Sequence, residues 1–249
     1  MPLHRLIDEF DIYAKKCLSC QELFATSEAI AHELGFPGLA MVHGLALRFP
    51  DSRLIWFDNF NEWAEIFVAK KYYLDCPVLR ACQRTNLPFG WAELGDHLLL
   101  TKRHERVMHE AARHGFRNGF TVPVGVIGEP LGCCTFSTDR TELPSIWRCR
   151  AAAMIGALAF AAARRLYGFP ARAKEVPQLS RRKLECLRYC ALGKTDGEIA
   201  TILGIREPTV RTYMAMLRKD FDVVARSQLT AVALRLGCVG YDDAIPSSY

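Results

Sequence analysis

Hydroxyl and cationic side chains share one side of a helix that the sequence predicts from about Glu207. The other side carries apolar residues at helical spacing, expected to form a buried stripe of Val210, Met214, Leu217 and Phe221. The exposed positions are then Thr209, Arg211, Thr212, Ala215, Arg218 and Lys219. Because an arginine can donate two hydrogen bonds to O6 and N7 of guanine, Arg211 is the leading candidate for contacting a base edge. Arg218 and Lys219 lie further along the helix and are expected to meet phosphates.

The elements before this helix would hold it in place. Thr195 and Glu198 have the spacing of a capping box, which predicts a short helix, and Gly204 then supplies a turn. Pro208 stands in the first turn of the next helix, where a missing N–H costs nothing. This order is typical of a helix-turn-helix that enters the major groove. A bundle of three or four helices with a solvated charged face is the alternative that periodicity alone leaves open.

The positive charge of the chain is concentrated near its C-terminal end. From Arg172 to Arg235 there are 13 Lys and Arg against 7 Asp and Glu, a surplus of 6 that exceeds the net charge of +5 for all 249 residues. A basic domain joined to a nearly neutral one suits a polyanionic partner. The length suits two domains, and the 50% apolar composition excludes a mostly disordered or fibrous chain.

The ten cysteines are dispersed through the chain, whose first residues lack the apolar stretch of a secretion signal. Most are therefore expected to be reduced and buried. Cys17 and Cys20 have C-x-x-C spacing, but no second pair completes a zinc site, so core packing is the favoured interpretation. The most apolar run, Ala151 to Ala163, is shorter than the ~20 residues that span a bilayer and predicts a buried helix. We expect a cytoplasmic protein with no membrane partner.

Helical and strand patterns alternate in the first 168 residues. The predicted helices cover about Leu3 to Tyr13 and Pro144 to Tyr167, and the predicted strands are Leu39–His43, Arg53–Phe57, Phe120–Ile127 and Leu131–Ser137. The last two strands flank Gly128–Pro130 and predict a hairpin. The fold class expected is α+β, with an α-β-α sandwich around an antiparallel sheet followed by an all-α domain of four helices. Residues 169–178 lack apolar periodicity and predict a linker, which places the domains at 1–168 and 179–240.

About sixty residues resemble the DNA-binding domain of the LuxR family, in the stretch LSRRKLECLRYCALGKTDGEIATILGIREPTVRTYMAMLRKDFDVVARSQLTAVALRLG. The resemblance rests on Leu179, Glu185, Leu187, Gly193-Lys194-Thr195, Glu198-Ile199-Ala200, Leu203-Gly204-Ile205, Thr209-Val210, Phe221-Asp222-Val223 and Arg226. Two positions depart from the family: Lys183 replaces the usual Glu, and Arg206 replaces the usual Ser at the helix N-cap. Losing a cap costs ~1 kcal/mol, whereas an arginine there can approach a phosphate. Thr195 and Arg206 thus join the candidate DNA contacts.

The resemblance also implies a dimer. The final helix, Ser227 to Leu236, is expected to expose an apolar stripe of Leu229, Val232, Ala233 and Leu236. In LuxR-type domains such a helix resembles a dimer contact, which implies a homodimer on a palindromic promoter site in double-stranded DNA.

A second resemblance covers most of Asp51 to Ser137 and is strongest in WAEIFVAKKYYLDCPVLRACQRTNLPFGW. This stretch is similar to the family's N-acyl homoserine lactone-binding domain, with Trp63, Pro77, Trp91, Gly119 and Thr135 in register. The resemblance implies that Trp63 donates to the lactone carbonyl, that Trp91 walls the headgroup and that Thr135 bonds the amide or a chain oxygen. Two tryptophans and a threonine in a packed core would need no ligand, which is the alternative.

Two expected polar groups are missing from this pocket. Phe67 takes the position of the family's Tyr, and Cys76 takes that of its Asp before proline. A thiol is a poor acceptor for an amide N–H, and an unpaired N–H in a buried pocket costs ~1–3 kcal/mol. Asp75 lies one residue earlier and could restore the carboxylate if the backbone bulges there.

The function expected is a quorum-sensing transcriptional regulator that binds an acyl homoserine lactone or a related amphiphile. The alternative is an orphan regulator of the same type that responds to another ligand or to none. No cofactor is expected beyond the small-molecule effector. An enzyme is disfavoured because no Ser-His-Asp, metal or phosphate-loop motif occurs, and His104, His109 and His114 lack ligand spacing with a carboxylate partner.

Overall fold

The structure is a computed structural model that describes residues 2–43, 55–126, 129, 131–169 and 177–245. The chain divides into two compact units, and the division falls after Phe169. Most of the predicted linker lies outside the described residues, so the domain boundaries stay a prediction. Each unit is described by itself.

The first unit is an α-β-α sandwich, as the sequence predicts. Its helices are α1 (Leu3–Lys16), α2 (Cys20–Glu33), α3 (Glu62–Ala69), α4 (Pro77–Ala81), α5 (Leu94–His97), α6 (Lys102–Arg113) and α7 (Ile146–Leu166). Its strands are β1 (Gly38–His43), β2 (Ile55–Asp58), β3 (Phe89–Gly90), β4 (Asn118–Pro123) and β5 (Gly132–Thr138). They form one antiparallel sheet in the order β2-β1-β5-β4-β3. The predicted hairpin is confirmed as β4 and β5, although its turn lies largely outside the described residues.

The two faces of the sheet belong to different cores, because successive strand residues point to opposite sides. On one face Met41, Cys134 and Phe136 pack with α1, α2 and α7. On the other face Val42 and Cys133 pack with apolar residues of α3, α4 and α6. The sequence patterns did not delimit these last helices, which are short or follow irregular loops. They form the layer that covers the candidate site.

Helix α7 is long and apolar enough to cross a membrane by length and composition alone. It lies on the sheet, however, and buries residues such as Ala152, Ile155 and Ala159 completely in the first core. The buried helix predicted over Ala151–Ala163 is therefore confirmed. At the end of α1, Cys17 packs in the same core and its thiol donates to the carbonyl of Ser19 (3.1 Å), while Cys20 is half-buried.

The described residues of the second unit form four α-helices, α8 (Arg181–Ala191), α9 (Asp196–Leu203), α10 (Glu207–Asp220) and α11 (Arg226–Arg235). The predicted capping box of Thr195 and Glu198 is present. Ser180, a residue type that favours helix N-caps, caps α8, since its hydroxyl accepts from the Lys183 N–H (3.4 Å). Gly204 ends α9 with a φ of 63°, in the left-handed region that favours glycine. The stripe of Val210, Met214, Leu217 and Phe221 is buried as predicted.

The prediction that the last helix exposes an apolar stripe is wrong. Leu229 and Ala233 are completely buried, and Val232 and Leu236 pack partly buried against the same core. A domain this small needs an apolar stripe from every helix to enclose its core, and spacing alone cannot separate an inward stripe from a dimer contact. The spacing of Ile199, Ile202 and Leu203 in α9 predicts that all three face inward, but Ile202 is 47% exposed.

Candidate functional site

An inner cavity of about 90 Å³ lies between the sheet and the helical layer of the first unit. Its strand residues are Ala40, Val42, Trp56, Asp58, Cys133 and Thr135. The other lining residues are Phe60, Trp63, Ala64, Phe67, Cys76, Val78, Leu79, Trp91, Val107, Met108 and Ala111. The walls are mostly apolar with a few polar groups, which is the usual character of a small-molecule site.

Five of the seven predicted ligand residues line this cavity: Trp63, Phe67, Cys76, Trp91 and Thr135. The fold brings these residues together, because the elements that carry them all border the inner cavity. These elements are α3, the start of α4, the segment after β3 and strand β5. The family resemblance had identified them from two stretches of the sequence, Trp63 to Trp91 and the strand that contains Thr135.

Trp63 is held in an aromatic cluster at the side of the cavity. Its ring stacks on His114 (centroids 5.5 Å apart) and meets Phe67 edge-on (5.9 Å) and Tyr72 at a tilt (5.8 Å). Only 5% of Trp63 is exposed. Packing on three sides fixes the indole plane and so the direction of its N–H, which a hydrogen-bond donor for a ligand carbonyl requires.

Cys76 is the N-cap of α4 and presents a protonated thiol. Burial raises the pKa of the Cys76 thiol to about 11, so it stays neutral near pH 7. The neighbouring Cys133 thiol, together with burial, raises the pKa of a second buried thiol, Cys82. These thiols are therefore neutral, and Cys76 does not supply the negative charge of the carboxylate that the family has at this position.

Asp75 does not restore the missing carboxylate. The backbone does not bulge: Cys76 has extended geometry (φ −72°, ψ 115°) and itself faces the cavity. The half-buried Asp75 carboxylate instead lies 4.0 Å from the Arg80 guanidinium, and it does not line the cavity. Neighbouring residues point in different directions, so one of this pair faces inward and the other outward.

Trp91 and Thr135 are joined through Thr121, which sequence reasoning missed. The Trp91 indole N–H donates to Thr121 Oγ1 (3.1 Å), and the Thr121 and Thr135 hydroxyl oxygens lie 3.2 Å apart. Gly119 does not line the cavity but lies against Trp91, since a Cβ at this position would stand 2.5 Å from the indole. Gly119 thus makes room for the tryptophan.

An outer cavity of about 330 Å³ lies beside the inner one and shares Trp91 and Met108 with it. It is lined by Trp91, Ala92, Leu94, Leu100, His104, Glu105, Met108, Arg117 and Asn118. Trp91 and Met108 therefore form the partition between the two spaces. Met108, Val107 and Ala111 come from α6, whose Thr101–His104 cap the sequence analysis did not identify.

In the second unit, α10 presents the predicted polar surface. Thr209, Arg211, Thr212, Ala215 and Lys219 are exposed and Arg218 is half-buried. Thr195 and Arg206 are also exposed, at the N-caps of α9 and α10. The Arg211 guanidinium pairs with Glu207 one turn earlier (2.5 Å), so it must leave this carboxylate to contact a base. Arg206 gives α10 no side-chain cap, as its type predicts.

Two ion pairs fix α10 and α9 within the helical unit. Lys183 of α8 lies 2.7 Å from Asp220 at the end of α10, with side chains 17% and 29% exposed. Arg226 at the start of α11 lies 2.6 Å from Asp196 in the first turn of α9 and also donates to the Lys194 carbonyl. Lys183, which replaces the family's usual Glu, therefore has an ion-pair partner in Asp220.

Comparisons with known proteins agree with this architecture. Residues 19–166 match the family model described as an autoinducer binding domain, and residues 177–233 match that of the luxR family of bacterial regulatory proteins. A sandwich with a lined cavity and a four-helix unit with a helix-turn-helix define a two-domain transcriptional regulator. The chain belongs to the LuxR family of quorum-sensing transcriptional regulators.

Relatives cover most of the chain. The transcriptional activator TraR of Agrobacterium vitis is 26% identical over 210 residues, covering 83% of this chain and 87% of that protein. The quorum sensing-dependent regulator VjbR of Brucella abortus is 32% identical over 194 residues, covering 71% and 70%. The crystal structure of Escherichia coli SdiA shares the fold, with a TM-score of 0.64 at 22% identity over 94% of this chain and 98% of that one. A second SdiA structure contains octanoyl-rac-glycerol.

Proposed function

We propose that the inner cavity binds an N-acyl homoserine lactone or a related neutral amphiphile, and that the bound ligand controls DNA binding by α10. The observation that carries the proposal is the joint placement of Trp63, Trp91 and Thr135 around one apolar cavity. The autoinducer-binding family to which the first unit belongs supports a small-molecule effector.

The roles follow from the chemistry of each side chain. The Trp63 indole donates to a lactone carbonyl, Trp91 forms a flat wall beside the headgroup, and the Thr135 hydroxyl bonds the amide or a chain oxygen. Phe67 and the neutral Cys76 complete an apolar surface for the acyl chain. Thr121 positions Trp91 and Thr135 through its two hydrogen bonds.

Native mass spectrometry tests the ligand directly. The full chain, expressed with and without a panel of acyl homoserine lactones of different lengths, is expected to retain one lactone per chain and to melt at a higher temperature with it. Trp63→Phe removes the indole donor while keeping an aromatic ring and is expected to weaken retention. No bound mass and no melting shift across the panel, with a monoacylglycerol included, would support the orphan regulator instead.

For DNA, the proposed contacts are Thr195, Arg206, Thr209, Arg211, Thr212, Ala215, Arg218 and Lys219. Arg211 is assigned to a base and Lys219 to a phosphate. Arg211→Ala is expected to relax sequence preference at one position by ~1–3 kcal/mol, whereas Lys219→Ala weakens binding to all sequences alike. Binding measured to a matched duplex and its single-base variants separates the two, and equal losses on every duplex with Arg211→Ala would refute base contact.

We place the sensor domain at 1–168, the linker at 169–178 and the DNA-binding domain at 179–240, in a cytoplasmic homodimer. Because the stripe of α11 is buried, the dimer contact is assigned to α7, which exposes Ile146, Trp147 and Met154 by 58%, 63% and 49%. At ~100° per residue these three side chains lie on one side of α7, and a contiguous exposed apolar patch marks a protein–protein interaction site. Trp147→Glu is expected to shift the chain to monomer in analytical ultracentrifugation, and an unchanged dimer would contradict this assignment.

A further inference from the structure

A row of polar side chains crosses the cavity face of the sheet. Asp58 on β2 lies opposite Ala40 on β1, Ala40 opposite Thr135 on β5, and Thr135 opposite Thr121 on β4. Residues directly opposite each other in antiparallel strands project from the same face. Asp58, Ala40 and Thr135 accordingly all line the inner cavity. Ala40 contributes only a methyl group between the carboxylate and the hydroxyl.

The Asp58 carboxylate is held in place by two donors. Its Oδ1 accepts from the Phe60 backbone N–H (2.9 Å), and its Oδ2 accepts from the Trp56 indole N–H. The Phe60 carbonyl in turn accepts from the N–H of Trp63 (3.0 Å), so Asp58 is tied to the start of α3. A carboxylate has about four lone-pair sites, so two bonds leave it able to accept another.

Asp58 also sets the charge of the cavity. Among the described residues that line this space, it is the one with a formal charge, and no Lys, Arg or His stands beside it there. A carboxylate on an apolar wall repels an anionic ligand strongly, because the low dielectric screens little. It attracts a neutral ligand that brings an N–H or O–H donor, and a buried donor left without an acceptor is costly.

We infer that Asp58 is the specificity-determining acceptor of the inner cavity, selecting neutral amphiphiles with an N–H or O–H donor in the headgroup and rejecting fatty-acid anions. This rests on the proposed function, since it assigns the polar partner of the same ligand. The carboxylate that Cys76 lacks is thus supplied from the opposite wall, by strand β2 instead of α4. Cys76 then contributes shape alone, and Asp75 contributes nothing to the ligand.

Matched ligands isolate the donor. The full chain is titrated with N-octanoyl homoserine lactone, its N-methyl amide analogue and octanoate. The wild-type chain is expected to bind the lactone about tenfold or more tightly than the N-methyl analogue, and to show no binding of octanoate. In Asp58→Ala, which removes the acceptor, the ratio between lactone and analogue is expected to fall towards one. In Asp58→Asn, which removes the charge but keeps an amide oxygen, octanoate binding is expected to become measurable.

Two variants make the result decisive. Asp75→Asn removes the carboxylate of a residue that lies next to Cys76 but does not line the cavity, and it is expected to leave the affinity ratio of lactone to N-methyl analogue as in wild type. Asp58→Ser keeps an acceptor for the Phe60 N–H but is too short to reach the ligand, and it serves if Asp58→Ala does not fold, with the same fall of the ratio expected. An unchanged ratio in the folded Asp58 variants overturns this assignment alone. Failure of the wild-type chain to bind the lactone, a monoacylglycerol or any lactone of another length overturns the proposed function and this assignment together.

Discussion

The Trp91 indole N–H donates to the hydroxyl of Thr121, 3.1 Å away on strand β4. That hydroxyl is completely buried and also lies 3.2 Å from the hydroxyl of Thr135. One side chain therefore orients two of the residues that line the inner cavity. The wall of the cavity is fixed by the sheet behind it.

Replacing Thr121 with valine tests this support. Thr121→Val keeps the volume but leaves the Trp91 N–H and the Thr135 hydroxyl without their partner, so the free energy of unfolding is expected to fall by ~1–3 kcal/mol. Urea denaturation measures it. Thr141→Val, at an exposed threonine, is the control and should stay within about 0.5 kcal/mol of wild type. Equal stabilities for both variants would show that the hydroxyl chain contributes nothing.

The buried Cys76 thiol predicts an alkaline loss of stability. Its pKa is about 11 in the folded chain against an ordinary value of 9.0, so the unfolded state ionises first. The contribution of the neutral thiol is fully present below pH 9 and is lost as the pH rises towards 11, by ~1.4 kcal/mol per pH unit. Cys76→Ala lacks this titration. The stability difference between wild type and variant should therefore shrink between pH 8 and pH 10.5, and a constant difference would contradict the burial of this thiol.

The pair of Lys183 and Asp220 explains one departure from the family pattern. Because both side chains are mostly buried, Lys183→Glu is expected to set two carboxylates together and to destabilise the helical unit by roughly 1–2 kcal/mol. A double-mutant cycle with Lys183→Met and Asp220→Asn should give a coupling energy of about 1 kcal/mol. A coupling energy near zero would mean that the two charges do not interact in solution.

The Arg206 N-cap predicts opposite effects on stability and DNA binding. Arg206→Ser supplies the side-chain cap that α10 lacks, so the helical unit should gain ~1 kcal/mol. Loss of a phosphate contact should lower the slope of log K against log salt by about 0.9. Fluorescence anisotropy from 50 to 200 mM salt measures the slope, since affinity falls roughly 10³- to 10⁵-fold over this interval for a protein that makes about 6 to 10 phosphate contacts. Arg5→Ser removes the same charge from α1 as the control, and an unchanged slope in Arg206→Ser would refute the phosphate contact.

The parts of the fold that follow from local rules were predictable. Thr195 with Glu198, Gly204 and Pro208 define the helix-turn-helix because caps, turns and proline positions act over a few residues. The region from α4 to β4 was not predictable, because α4 and α5 are only five and four residues long. Helices this short contain too few residues to show a helical periodicity of apolar positions. The inner stripe of α11 was misjudged because spacing shows which residues share a face, but not what covers it.

The candidate site divides in the same way. Trp63, Trp91 and Thr135 were found by their register with the family, and the cavity contains all three. Asp58 and Thr121 could not be found, because they are placed by the strand register opposite Ala40 and Thr135, and that pairing joins distant segments. The sequence shows that Cys76 stands where the family has Asp. Asp58, the carboxylate that we propose in its place, is identified only from the strand pairing of the folded sheet.

We propose that a ligand in the first unit controls sequence-specific DNA binding by α10 of the second. Selection from a pool of random duplexes by the full chain, purified with and without bound lactone, measures this control. We expect enrichment of a two-fold symmetric sequence whose yield depends on the lactone. A chain that enriches no sequence in either state, or enriches one equally well with the cavity filled and empty, would show that the ligand does not control DNA binding.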